Sequence, residues 1–202
     1  MVDKAEDASP PFRRRVAVWV SVAAHPFVLI PVLVAVVTAR SLPPREAAFV
    51  VALVMAGSIL PMLWIIMRRV RSGAWTDHDV SVREQRTGMY PAALAVSAAT
   101  VLLLYVSGTS RSIVHGTMAV FVLIAVSSLI NLRLKVSLHT GFAAFTAVCL
   151  LSMSRPMGIA GAVIALAVAW SRLELRRHTL PEVVGGALVG AGIGTALLLW
   201  PG

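Results

Sequence analysis

The residues best suited to chemistry lie in a polar segment near the carboxyl end of the chain, SRLELRRHTLPE at 171–182. Ser171 and Arg172 are followed by five residues and then His178, and three more residues separate His178 from Glu182. A carboxylate four residues beyond a histidine, on a helix that begins between them, can accept a hydrogen bond from one ring nitrogen. The other ring nitrogen then stays basic, as in a catalytic triad. The spacing predicts an oriented histidine beside an arginine.

Two further polar segments complete an inventory for chemistry on a phosphate: TDHDVSVREQRTGMYP at 76–91 and NLRLKVSLHTG at 131–141. Cations can hold and neutralise a phosphate, one histidine can attack it, and a second can donate a proton. The two segments supply His139, Ser137, Lys135, Arg83, Arg86, Asp77, Asp79 and Glu84. Together with 171–182 they predict a site for phosphoryl chemistry, provided that the three segments meet at one end of the molecule.

The segment 171–182 resembles the third signature of the type 2 phosphatidic acid phosphatase superfamily. That signature reads Ser-Arg, five residues, His, three residues, acid; the acid is usually Asp, and this chain has Glu182. VSLH at 136–139 is similar to the second signature, Pro-Ser-Gly-His, with Val136 and Leu138 at the Pro and Gly positions. The resemblance covers residues 83 to about 190.

The first signature of that family, Lys, six residues, Arg-Pro, is similar to Arg83, EQRTGM and Tyr90-Pro91. Here Arg83 stands for the lysine and Tyr90 for the arginine. Either Arg86 or Lys135 would then supply the cation that the tyrosine removes.

The resemblance implies a metal-independent membrane phosphatase that acts on lipid phosphates through a phosphohistidine and needs no cofactor. His178 would be the nucleophile, Glu182 its orienting acid, and His139 the proton donor to the leaving group. The phosphate-binding residues implied in this way are Arg83, Arg172, Ser137, Ser171, Arg86, Lys135 and Tyr90.

Membrane helices must position these polar residues, because the rest of the chain is strongly apolar. Hydrophobic residues make up 58% of the 202 residues and charged residues 13%, and the mean hydropathy is +0.84. Apolar runs of about 20 residues can cross a bilayer as helices, and these runs lack the alternation of a barrel strand. They predict spans near 16–39, 46–67, 90–107, 113–130, 137–154, 157–171 and 182–200. The expected fold is an all-α polytopic bundle of six to seven spans, with a kink at Pro26 or Pro31.

The distribution of charge predicts which side of the membrane carries the polar segments. With seven spans, 14 of the basic residues fall on one side and 4 on the other. Cytoplasmic loops carry the excess of Lys and Arg, so the three segments and the polar residues 1–15 are expected in the cytoplasm, in a cell inner or plasma membrane. The net charge of +9 follows from these helix ends and does not indicate a nucleic-acid binder. We expect a single membrane domain over 1–202 with a phosphatase-like core at 83–190.

Two alternatives remain open from the sequence. One is an intramembrane, metal-dependent prenyl- or phosphotransferase, although Asp77, His78 and Asp79 form only one acidic cluster where such enzymes use two. A structural or substrate-gating role is favoured for this loop. The other is a noncatalytic lipid-binding relative. The expected partners are the bilayer and a lipid phosphate, for example phosphatidic acid, phosphatidylglycerol phosphate or a polyprenyl phosphate, with a homodimer left open.

Three further features are interpreted as structural. His25 and His115 lie in or near apolar spans and are expected to be packing or interfacial residues, although an ionisable group inside a membrane warrants a test. Gly186, Gly190 and Gly194 recur every four residues on one face of the last span, which predicts close helix packing.

Overall fold

The computed structural model describes residues 11–80 and 82–200. In this part of the chain the regular structure is helical, which confirms the all-α prediction. The helices are α1 (Pro11–Ala23), α2 (Pro26–Ser41), α3 (Pro44–Arg71, with a π-helical turn at Met55–Ile59), α4 (Arg83–Val106), α5 (Arg111–Asn131), α6 (Leu138–Met153), α7 (Arg155–Glu174) and α8 (Leu180–Leu199).

Helices α3, α4, α5, α7 and α8 are the 5 single helices within the described residues that are long and apolar enough to cross a membrane. The first predicted span is divided: α1 and α2 meet at a bend of 48° and together would make a sixth span. The predicted span at 137–154 is α6, a shorter apolar helix of 16 residues.

The bend between α1 and α2 has a local cause at His25 and Pro26. The residue before a proline avoids helical dihedral angles, and His25 is extended, with φ −63° and ψ 145°. Pro26 then begins α2, where its missing N–H costs no hydrogen bond. As a result α1 packs against α7 while α2 packs against α6. The two halves of the first span therefore contact different helices of the bundle.

Helix α6 lies at the centre of the bundle, in close contact with α7 and α8. A Cβ added at Gly190 would overlap the carbonyl of Gly141, and one at Gly186 would overlap the carbonyl of Ser137. Gly194 faces Val148 in the same way, at 3.0 Å. The glycine face of α8 thus lets two backbones touch, and the prediction of close helix packing is confirmed. This contact sets the start of α8 against the start of α6.

The loops that carry the polar segments end up side by side at one end of the bundle. The amide of Ser137 donates to the carbonyl of Glu182 at 2.9 Å, and the hydroxyl of Thr140 donates to the carbonyl of Val183 at 3.2 Å. The ammonium of Lys135 donates to the carbonyl of Arg177 at 3.0 Å. These bonds join the loop 132–137 to the loop 175–179.

Candidate active site

His178 is held by a carboxylate on the first turn of α8. Its Nδ1 lies 2.8 Å from Oε2 of Glu182, four residues further along the chain. The same carboxylate oxygen accepts the backbone N–H of Thr179 at 3.2 Å. Acidic side chains are favoured on the first turn of a helix, where backbone N–H groups lack partners. The carboxylate of Glu182 therefore both caps α8 and orients the imidazole of His178.

The other ring nitrogen of His178 faces a cation. Nη2 of Arg86 lies 3.3 Å from Nε2 of His178, and a guanidinium can only donate. A carboxylate on Nδ1 and a guanidinium on Nε2 together assign the ring proton to Nδ1 and the lone pair to Nε2. Burial lowers the pKa of His178 well below its ordinary value, and the nearby charges of Arg86, Lys135 and Arg172 lower it further. The imidazole is thus neutral, and its Nε2 lone pair faces Arg86.

Arg86 connects all three polar segments. Its side chain is buried, its Nε donates to the carbonyl of Val80 at 3.0 Å, and its Nη1 donates to the carbonyl of Val136 at 2.8 Å. With its remaining nitrogen on His178, the guanidinium bridges the loops 72–80, 132–137 and 175–179. Tyr90, one turn further along α4, is buried and interacts with this guanidinium.

Arg83 is not brought into this cluster. Its Nε donates to the carbonyl of Asn131 at 3.0 Å, and its Nη2 donates to the carbonyl of Leu132. Both acceptors belong to the end of α5, where carbonyl groups lack helical partners and attract cations. Arg83 is the first residue of α4, nearly one turn before Arg86, and its side chain is held at the end of α5. The structure gives Arg86, and not Arg83, the position beside the histidine.

Arg172 is the most deeply buried cation of the site, at 1% exposure. It lies on the last turn of α7, and its Nη1 donates to the hydroxyl of Ser21 at 2.7 Å and to Oδ2 of Asp79 at 2.9 Å. The preceding Ser171 donates its hydroxyl to the carbonyl of Val168, at 2.8 Å, within the same helix. The guanidinium therefore faces the site, whereas the hydroxyl of Ser171 is used within α7.

Asp79 reaches into the site from the loop 72–80. Val80, which follows it, is buried with φ at +46°, a strained conformation for a β-branched residue that persists only where the surroundings enforce it. The Asp79 amide also donates to Oδ1 of Asp77 at 2.9 Å. Burial raises the pKa of Asp79, but the ion pair and hydrogen bond with Arg172 outweigh it, and the net pKa lies below its ordinary value. The carboxylate of Asp79 is therefore charged, and it accepts a hydrogen bond from the guanidinium of Arg172, which a phosphate would also need.

His139 faces the same space from the start of α6. The side chain is buried, its Nε2 lies 3.9 Å from Oδ1 of Asp79, and no described residue hydrogen-bonds to that nitrogen. It interacts electrostatically with Arg172 and with His178. A second imidazole nitrogen therefore points into the cluster and is available for proton transfer.

His25 lies directly against His139, although the sequence suggested only a packing or interfacial role. The two rings are perpendicular, at 89°, with centroids 4.7 Å apart. Nothing in the spacing indicates this contact, because the two residues are 114 positions apart. An ionisable residue inside an apolar run was the available signal for His25. For Ser21, a small hydroxyl in a helix, the sequence offers no signal.

Ser137 and Lys135 support the site from the loop before α6. The hydroxyl of Ser137 is fully buried and accepts the amide of Thr140 at 3.4 Å, so it caps α6 and fixes where His139 begins to project. The ammonium of Lys135 lies 3.8 Å from Oε2 of Glu182. Burial lowers the pKa of Lys135, and this outweighs the opposite effect of Glu182. Its charge adds to the positive potential around His178.

The donors of His25, Asp79 and His139 lie within 4.8 Å of one another, a set that a divalent metal could use. However, Nδ1 of His25 accepts the N–H of Phe27 at 3.1 Å, which assigns the ring proton of a neutral imidazole to Nε2. A metal ligand needs a lone pair, so binding a metal at Nε2 would break this cap of α2. The geometry fits a hydrogen-bond donor at His25 better than a metal ligand.

Taken together, the described residues place a neutral, oriented histidine, a second histidine and two buried guanidiniums around one small space. Comparison with curated proteins and with solved structures gave no significant match. A family model described as "PAP2 superfamily" matches residues 127–202, a segment that contains His139, Arg172 and His178. Residues 127–202 are therefore similar to the PAP2 superfamily, which agrees with the resemblance seen in the sequence motifs.

Proposed function

We propose that this protein is an integral membrane phosphatase that hydrolyses a lipid phosphomonoester or diphosphate through a phosphohistidine at His178. The match of residues 127–202 to the PAP2 superfamily model supports a phosphoester hydrolase. The observation that carries the proposal is the position of His178 between a carboxylate at 2.8 Å and a guanidinium at 3.3 Å. That arrangement produces a neutral nucleophile in a pocket whose positive charge suits a phosphate.

The proposed reaction has two steps. Nε2 of His178 attacks phosphorus, the bond from phosphorus to the leaving oxygen breaks, and His139 transfers a proton to that oxygen. Water then attacks the phosphohistidine, gives a proton back to His139, and releases inorganic phosphate and the original imidazole. During both steps Arg86 and Arg172 would neutralise the equatorial phosphoryl oxygens. Glu182 stabilises the positive charge that forms on the imidazole.

The substrate must reach a guanidinium that a carboxylate already contacts. The 2.9 Å bond from Arg172 to Asp79 occupies part of the place where a phosphoryl oxygen would bind. A phosphate would displace this carboxylate, because two anions on one guanidinium repel each other. We infer that the loop 72–80 shifts when substrate binds, in line with the gating role favoured by its sequence.

The function can be tested with a panel of lipid phosphates and diphosphates in detergent, including phosphatidic acid, phosphatidylglycerol phosphate and polyprenyl phosphates. With a chelator present, we expect the purified protein to release phosphate from at least one of them, and His139→Ala to lower the rate by about 100-fold or more. Activity that disappears with the chelator and returns with a divalent metal would favour a metal-dependent transferase. Complete inactivity toward the panel would favour a noncatalytic lipid-binding protein.

We also propose that the active site opens on the cytoplasmic side of the cell membrane. The support is the excess of Arg and Lys on the segments that form the site. In intact cells carrying Leu175→Cys, a membrane-impermeant thiol reagent should leave this cysteine unlabelled and should label it after the cells are opened. Cys149 is buried and contributes little background. Labelling of position 175 in intact cells would reverse the proposed orientation.

A further inference from the structure

A cavity of about 770 Å³ begins at the candidate active site and continues into the bundle. Arg86, Asp79 and His139 line one end of it. The other end is lined by Arg111 and His115 near the start of α5, by Met153 at the end of α6, and by Trp200 after α8. Since α5 and α6 run in opposite directions between these ends, the cavity extends from one end of the bundle to the other.

The wall between the two ends is mainly apolar. On α6 the lining residues lie three or four positions apart, which is one helical face from the first turn to the last: His139, Phe142, Phe145, Cys149 and Met153. Helix α2 contributes a similar face, from Phe27 to Val37. Sixteen residues of α6 at about 1.5 Å each give a passage about 24 Å long.

We propose that this cavity holds the hydrocarbon chain of the substrate, with the phosphate at His178 and the chain extending along α6 towards Trp200. The proposal rests on the proposed phosphatase function. The head of a lipid phosphate matches Arg86, which lies beside His178 at one end of the cavity, and its chain matches the mainly apolar wall that continues from there. The substrate class is therefore a phosphate carried on one long alkyl or prenyl chain.

The dimensions favour a single chain. An extended chain advances about 1.2 Å per bond, so a passage of about 24 Å accommodates about 20 bonds. Dividing about 770 Å³ by this length gives a mean cross-section of about 32 Å². Packed apolar chains lie about 4.0–4.5 Å apart, so one chain needs roughly 20 Å² and two need roughly 40 Å². One chain, with room for methyl branches, fits this passage.

Gly116 allows the passage to be shortened without disturbing the fold. It lines the cavity, and a Cβ added there meets no atom within 4 Å. Gly192 offers the same open space on an exposed face of α8, outside the cavity lining. A phenylalanine at either position also improves helix propensity relative to glycine. Gly116→Phe and Gly192→Phe are therefore a matched pair, of which only the first fills the cavity.

The first test measures kcat/KM for alkyl and prenyl phosphates shorter than, equal to and longer than the cavity. Wild type should be most active on chains of about 20 bonds. Gly116 lies five residues, or about 8 Å, from the start of α5, so Gly116→Phe should shorten the preferred chain by about six bonds. It should lower kcat/KM for the longest chains about tenfold and leave the shortest unchanged, and Gly192→Phe should behave as wild type. Equal profiles for the two variants would overturn the proposal.

The second test does not depend on catalysis. An alkyl phosphonate, which cannot be hydrolysed at its P–C bond, carries a photoreactive group at the end of a chain of matching length. Illumination should attach it to the far end of the cavity, near Arg111, Met153 or Trp200. That result supports the proposal even if no phosphate release is found, in which case only the proposed function fails. Attachment to lipid-facing residues such as Leu151 or Leu188 would overturn the proposal even in an active enzyme.

Discussion

Replacing His178 with alanine is expected to lower phosphate release by about a thousandfold or more, because the variant lacks the atom that attacks phosphorus. Glu182→Gln should cause a smaller loss, about 10-fold to 100-fold. The amide oxygen can still accept a hydrogen bond from Nδ1–H of His178, but it cannot neutralise the positive charge that forms on the ring. Both rates would be measured as initial rates on the best substrate of the panel, in detergent and with chelator present.

Trapping the covalent phosphoenzyme distinguishes a nucleophilic histidine from one that only supports the fold. Rapid alkaline quenching after mixing with labelled substrate should leave phosphate attached to the wild-type protein, and His178→Ala should carry none. Arg176→Gln provides a control, since Arg176 is an exposed residue two positions before His178 and outside the cavity lining, and this variant should retain the wild-type rate and the covalent phosphate. Full activity of His178→Ala with normal folding would remove the phosphohistidine from the mechanism.

Arg172→Gln is expected to lower kcat/KM about 100-fold to 1,000-fold, because one donor to the developing negative charge is lost from a buried site. Arg172→Lys should recover little of this loss. A single ammonium lacks the planar set of donors with which a guanidinium can bind two phosphoryl oxygens at once. Arg176→Gln, at an exposed arginine of the same segment, should leave the rate unchanged.

Stability and activity should separate in a double variant. Arg172→Gln leaves the charge of Asp79 without its main partner, which should cost roughly 1.5–3 kcal/mol of unfolding free energy. Adding Asp79→Asn removes that charge and should restore most of the stability, while phosphate release stays low. The measurement is thermal unfolding in detergent beside the activity assay. Recovery of activity together with stability would mean that Arg172 acts only through the fold.

The helical class and the approximate positions of the membrane helices follow from the sequence, because a chain in lipid must satisfy its backbone hydrogen bonds internally. The position of Glu182 next to His178 also follows, since residues four apart on a helix share a face. The glycine face of α8 likewise predicts a close neighbour, which is α6. These inferences depend on local periodicity, which the sequence displays directly.

The remainder of the site depends on rotation and packing, which local periodicity does not determine. Arg83 and Arg86 lie on the same turn of α4, and their spacing could not indicate which of them faces His178. Asp79 belongs to a loop whose path depends on the strained backbone at Val80. His25 meets His139 only because the first span bends at Pro26.

The contact between Ser21 and Arg172 has a consequence for how the protein is made. Ribosomes synthesise a chain from its amino end, so α1 is in place long before the last turn of α7 appears. A guanidinium that is buried inside a protein without a partner costs several kcal/mol, and Arg172 finishes at 1% exposure. The hydroxyl of Ser21 and the carboxylate of Asp79 are thus already synthesised when Arg172 appears and can pair with it at once. The matched segment 127–202, produced alone, would lack both partners and should fail to insert stably.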